Sequence, residues 1–228
     1  TGGKLLNVFQ NRRFDGDYLT VRQLIEEGRL GDVRWVEMAW QSFRTWRGWR
    51  AQASKGGGKL YDLGAHLIDQ MCMIFPQPVE SVYCRMHHDN PDVDVETDAL
   101  VVIGFDGGRT AVGDFSSLAA IRKPRFYVRG TMGTFQKYGL DPQEAAMNRE
   151  RIEEAREAPE NYGILADGEK EETIATIPGR WRNYYENIAA VLTRDAEPAV
   201  RLDEVRREIA AIQAAQKSAR TGKVVRFA

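Results

Sequence analysis

Three side chains able to hold or move a proton stand in one short stretch, GGGKLYDLGAHLIDQ (56–70): Asp62, His66 and Asp69. An imidazole titrates near neutral pH, and a carboxylate one helical turn away can hold its tautomer and raise its basicity. On a helix of ~100° per residue, Asp62 and His66 stand about 40° apart, with Asp69 and Gln70 flanking them. Leu60, Leu63, Leu67, Met71 and Ile74 gather on the opposite stripe. Such a face permits proton transfer in a cleft. Two other readings stay open. One is a solvated helix face, where an Asp–His pair contributes about 0.2–0.5 kcal/mol. The other is an ion shared by Asp62 and His66. The remaining histidines, His87 and His88, lie on a strand and point to opposite faces, so at most one can join that ion. Metal is therefore the weakest of the three readings, and no metal ligands are assigned.

The elements that must position these residues are legible around them. Glycines 56–58 let the backbone approach a neighbour closely, just ahead of a helix N-terminus whose amide N–H groups point outward. The helix runs from about Leu60 to Phe75 and stops at Pro76. Before it, 17–31 has helical spacing, 33–43 (VRWVEMAWQSF) reads as a strand, and 44–55 (RTWRGWRAQASK) is a basic loop. Trp46 and Trp49 can offer ring faces to a sugar there, though packing of an exposed loop is the better reading.

Strands then dominate. VESVYCRMHH (79–88) alternates, DALVVIGF (98–105) turns through Asp-Gly-Gly into RTAVGDFSSL (109–118), and 125–130 pairs with 133–138. Asp141 can cap a helix that begins at Pro142, with Glu144 three residues after the cap. Residues 148–172 are charged and irregular, and EETIATI (171–177) suits an edge strand. Helices over 180–195 and 203–220 close the chain with a short strand, KVVRF. In the second, Val205, Ile209, Ile212 and Gln216 form one stripe. The expected fold is α+β, a large, mostly antiparallel open sheet with helices packed on one face. Both alternating sets of 98–105 are largely apolar. The other sheet face is therefore an oligomer interface, or the 138–178 excursion covers it.

The totals exclude several classes. The chain has 228 residues, and 32 Lys and Arg against 33 Asp and Glu give a net charge of −1. Its cations are scattered, which makes no case for nucleic acid or a membrane surface. Two cysteines suit a reducing cytoplasm, and no apolar run reaches the ~18–20 residues needed to span a bilayer. No G-x-G-x-x-G fingerprint is present, since GGGKLYDLG and RGTMGTF both fail its spacing, and there is no P-loop. LLNVF (5–9) reads as a buried strand, yet nothing before it supplies neighbouring strands. The chain therefore reads as a piece of something longer.

GGGKLYDLGAHLIDQM resembles the signature of the C-terminal domain of the glucose–fructose oxidoreductase/inositol dehydrogenase/MocA (Gfo/Idh/MocA) family. QNRRFDGDYLTVRQLIEEGRLGDV resembles that family's crossing segment, and PRFYVRGTMGTFQKYGLDPQE a subgroup that includes scyllo-inositol dehydrogenases. YENIAAVLTRDAEPAV and SARTGKVV match in order, so the resemblance covers nearly the whole chain.

It implies that residues 1–13 are the last strand and exit segment of an absent Rossmann domain, and that 14–228 form the substrate and oligomerisation domain. It implies that Asp62 and His66 are the catalytic pair and that Asp69 contacts polyol hydroxyls. Asn11 and Arg12 would lie beside nicotinamide and substrate, with a hinge salt bridge as the alternative for Arg12. The family's catalytic lysine sits in a Glu-Lys-Pro motif of the nucleotide domain. The only Lys-Pro here, Lys123-Pro124, has another context and inherits no role. The implied function is hydride transfer from a secondary alcohol of a sugar or cyclitol to NAD or NADP. The cofactor would be bound mainly by the absent domain, in a homo-oligomer, dimer or tetramer, inactive as this chain alone. The alternatives are a non-catalytic assembly or sugar-binding module and a metal-dependent hydrolase or isomerase.

Overall fold

The structure is a computed structural model that describes residues 4–227. Nine segments pair as strands: β1 (Val33–Gln41), β2 (Val79–His87), β3 (Asp98–Phe105), β4 (Arg109–Ser116), β5 (Phe126–Gly130), β6 (Thr134–Lys137), β7 (Gly163–Ala166), β8 (Glu171–Ile174) and β9 (Val225–Arg226). The helices are α1 (Gly16–Glu26), α2 (Ala65–Ile74), α3 (Gln143–Met147), α4 (Arg182–Arg194) and α5 (Leu202–Thr221). The strands form one open sheet of order β8-β7-β6-β5-β1-β4-β3-β2-β9. All pairings are antiparallel except β1 with β4, which run parallel at the centre. The fold is the expected α+β, and the short turns between β3 and β4 and between β5 and β6 are where turn residues placed them.

One sheet face carries Val36, Met38, Val82, Val101, Ile103, Phe115, Val128 and Phe135, all buried. They pack into a single core with Tyr18, Val21 and Leu24 of α1, Leu67, Ile68 and Met71 of α2, and Ala211, Ile212 and Ala215 of α5. Removing this apolar area from water is the main driving force for the fold, roughly 1.5–3 kcal/mol for each large side chain. The other face is open. It shows Leu100 at 38% and Ile164 at 41% exposure, and the Arg129 guanidinium lies 4.4 Å over the Trp35 ring. The 138–178 excursion does not cover it. Part of that segment extends the sheet edge as β7 and β8, and Asp141 and Gln143 bond instead to Gly16, Phe14 and Trp181.

Residues 5–9 pair with no strand of the described residues, and Leu6 and Phe9 are exposed; several other expectations are corrected. Thr1–Gly3, the start of the expected exit segment, lie outside the described residues. On α5 the buried stripe is Val205, Glu208, Ala211, Ile212 and Ala215, while Ile209 is 46% exposed. A buried partner for Glu208 rotates that helix away from its apolar pattern. The segment 148–172 contains β7, which has too few residues to show a period. No helix of the described residues is long and apolar enough to cross a membrane.

Candidate functional site

The glycine run determines how the site begins. Gly58 takes φ of 109°, a conformation that L side chains rarely adopt, and a Cβ there would meet the Glu96 carboxylate at 2.6 Å. Glu96 instead accepts the Leu60 N–H at 2.7 Å and so caps the helix start. Residues Leu60–Gly64 then form a π-helical turn before α2. This wider turn changes the angular offset between Asp62 and His66. The expected contact between them is not made, and Asp62 accepts from Arg50 Nε at 3.0 Å.

His66 is held from elsewhere. Its Nδ1 lies 2.9 Å from Gln10 Oε1, and Gln10 Nε2 donates to Glu208 Oε2 at 2.8 Å. Because Gln10 commits its NH2 group to Glu208, it presents an acceptor to His66, so Nδ1 carries the hydrogen and Nε2 keeps its lone pair. Burial lowers the His66 pKa to about 4, and the Arg12 and Arg125 cations act the same way. The ring is neutral at pH 7.

His66 lines a cleft of about 1000 Å³ together with Asp62, Arg12, Lys59, Trp40, Trp46 and Arg44, Arg47 and Arg50 of the basic loop. Arg12 crosses it between Trp40 (4.4 Å) and Trp181 (4.9 Å), bonded to Glu144 at 2.6 Å and Asp15 at 3.5 Å. Glu144 therefore reaches Arg12 and does not complete a capping box, although Asp141 accepts the Gln143 N–H at 2.8 Å. Gln70, fully buried, donates to the Arg12 carbonyl at 2.7 Å and accepts from Arg125 at 3.0 Å. Arg125 in turn meets Asp17 at 3.2 Å.

Asp69 is not in the cleft. Both its oxygens accept from Arg13, at 2.6 and 2.8 Å, in a buried pair that fastens the 10–14 segment under α2. The expected hydroxyl contact is not what Asp69 presents here: one lone pair on each oxygen is committed to the guanidinium in fork geometry, and the residue is 2% exposed and outside the cleft lining. Asn11 is buried beside Arg12, outside the cleft lining. Trp46 does line the cleft, whereas Trp49 is exposed under Arg50. His87 and Asp98 face each other across β2 and β3, with Asp89 just beyond the end of β2 beside them, and none of the three lines the cleft.

Gln10, Glu208 and Lys59 were missed. Gln10 lies 56 positions from His66 and 198 from Glu208, and no periodicity links residues so far apart. Lys59 stood in plain view beside the glycines, but its burial depends on the covering Trp46.

An open sheet carrying helices on one face, with a neutral histidine in a cleft at the end of the central strand β1, defines an α+β architecture. The chain belongs to the GFO/IDH/MocA C-terminal domain family, which matches over residues 18–136. It is 36% identical over 211 residues to the uncharacterized oxidoreductase YdgJ of Escherichia coli (strain K12), covering 87% of this chain and 59% of that protein. It is 32% identical to the scyllo-inositol 2-dehydrogenase (NADP(+)) IolW of Bacillus subtilis (strain 168), covering 98% of this chain and 64% of that one. The crystal structure of an oxidoreductase from Bacillus cereus superposes with a TM-score of 0.84 at 28% identity, covering 96% of this chain and 65% of that one. The chain thus spans less than two thirds of the length of these relatives.

Proposed function

We propose that this chain is the substrate domain of an oxidoreductase that moves a hydride between a secondary alcohol of a sugar or cyclitol and NAD or NADP. The observation that carries this reading is His66, neutral, with Nδ1 tied to Gln10 and Nε2 open to the cleft. A hydroxyl seated against Nε2 gives up its proton there as its carbon is oxidised. Asp62, on the same cleft wall, exchanges Arg50 for a substrate hydroxyl, and Arg12 holds a second oxygen. The similarity to a protein named for scyllo-inositol and NADP(+) supports the substrate and cofactor classes. Among the described residues no glycine turn leads from a parallel strand into a helix N-terminus, so they do not fit a dinucleotide's pyrophosphate. That site belongs to a separate Rossmann domain, and the chain alone turns nothing over.

Cys72 and Cys84 are buried free thiols whose pKa burial pushes up to about 12, which suits a reducing cytoplasm. The open face of the sheet pairs with a second copy. The test begins with fluorescence titration of this chain with NADH and NADPH, where no saturable binding is expected. In a protein with the nucleotide domain attached, His66→Ala is expected to lower kcat/KM on its best polyol by about 10²–10⁴. An unchanged value would remove His66 as the base.

A further inference from the structure

The ion pairs of the cleft leave four of its cations over. Arg12 is matched by Asp15 and Glu144, and Arg50 by Asp62. Arg44, Arg47, Lys59 and Arg122 line the same cleft, and among the described residues none of them makes an ion pair. Asp141, the remaining wall carboxylate, is taken by the Gly16 and Gln143 amides. In a chain of net charge −1, this local surplus favours an anion in the cleft.

Lys59 is the most telling of the four. It is 1% exposed. Its ammonium lies 4.2 Å from the Trp46 ring centre and makes one long hydrogen bond, 3.5 Å to the Ser116 carbonyl. An ammonium carries three donors, so most of its bonding capacity is unfilled. Burying a charge with no counter-charge in direct contact is costly, and a cation–π contact offsets only part of that cost.

Resting on the sugar or cyclitol reading above, we infer that the substrate bears an oxyanion group, a carboxylate or phosphate, seated against Lys59 and Arg44 while its reacting hydroxyl meets His66. Two electrostatic features agree. Burial and then Arg44 lower the Lys59 pKa to about 8, against the pull of Asp62, Asp98 and Glu96. An oxyanion reverses that shift. It also offsets the Arg12 and Arg125 field that depresses His66, bringing the base toward the neutral range where proton transfer works best.

The test is a tryptophan-fluorescence titration of the chain at constant ionic strength with D-glucuronate, D-glucose 6-phosphate, D-glucose and NADPH. At least one anionic sugar is expected to bind about tenfold more tightly than glucose, as for one charge-assisted contact. Glucuronate against glucose 6-phosphate tells carboxylate from phosphate. Lys59→Met is expected to remove the preference, and Arg44→Ala, at an exposed position that leaves the fold intact, to narrow it. Raising the pH from 7 to 9 is expected to weaken it as Lys59 loses its proton. Equal binding of glucose and both anionic sugars overturns the oxyanion and leaves the sugar reading standing. Binding of NADPH alone assigns the cations to a dinucleotide's phosphates and overturns it as well. Failure of every sugar removes both readings.

Discussion

His66 and Glu208 are joined through one buried amide, that of Gln10, and they respond to pH in opposite senses. Burial, with Asp69 next, raises the Glu208 pKa to about 8, so from its unfolded value near 4.5 up to about 8 the folded chain holds a proton that the unfolded chain releases. That stability is complete below the unfolded value and lost as pH rises through 8. His66, lowered to about 4, contributes stability that is complete above its unfolded value of ~6.5 and lost as pH falls toward 4. Glu208→Gln keeps the acceptor for Gln10 and cannot ionise. Its Tm is expected to stay level from about pH 6.5 to 8 while that of the parent falls, and parallel declines would refute the assignment. Gln10→Leu frees Nδ1, and in the protein carrying a nucleotide domain kcat is expected to drop about tenfold or more with KM little changed. The pattern of Asp62 and His66 was readable because one turn of helix writes it locally. Their actual partners, Arg50 and Gln10, were not, because only the folded chain brings them near.

At the scale of elements, the helix start depends on a carboxylate from the loop before β3. Glu96→Ala removes the acceptor of the Leu60 N–H, and by analogy with capping losses it is expected to cost about 1 kcal/mol, read from the urea midpoint. Gly130 marks a tighter constraint. A Cβ there would sit 1.9 Å from the Leu30 carbonyl, so Gly130→Ala must push β5 from the turn that leads into β1 and is expected to cost about 3 kcal/mol. Hairpins and long helices were legible because turn chemistry and period are local. What covers the 5–9 segment was not legible, since an apolar run records burial without naming the partner that supplies it. Ile209 misled for a related reason: the hydrogen bond from Gln10 draws Glu208 inward, and the stripe turns with it.

For the whole molecule, the open sheet face is the feature with a consequence for assembly. Leu100, Val102, Tyr83 and Tyr127 share it with Arg129 and Glu37, an apolar field edged by charge of the kind that pairs subunits. Leu100→Lys is expected to turn a sedimenting dimer into a monomer without unfolding it, and a mass unchanged from the parent would move the interface elsewhere. Composition and alternation foretold both the sheet and its two-sided character. That the 138–178 excursion leaves this face bare was not legible, because it depends on the path those residues take.

The parallel seam between β1 and β4 also bears on how the chain reaches this state. β2, β3 and β4 are successive antiparallel neighbours, so they close with short loops and little loss of chain entropy. β1 must return across α2 and two strands to pair Trp35 with Thr110, a closure that forms late and slowly. Until it does, β4 shows a bare row of amides and carbonyls at what will become the centre of the sheet. An arriving chain can add to that edge as readily as β1 can. Refolding yield should therefore fall with protein concentration, governed by a race at a strand that the finished molecule hides completely.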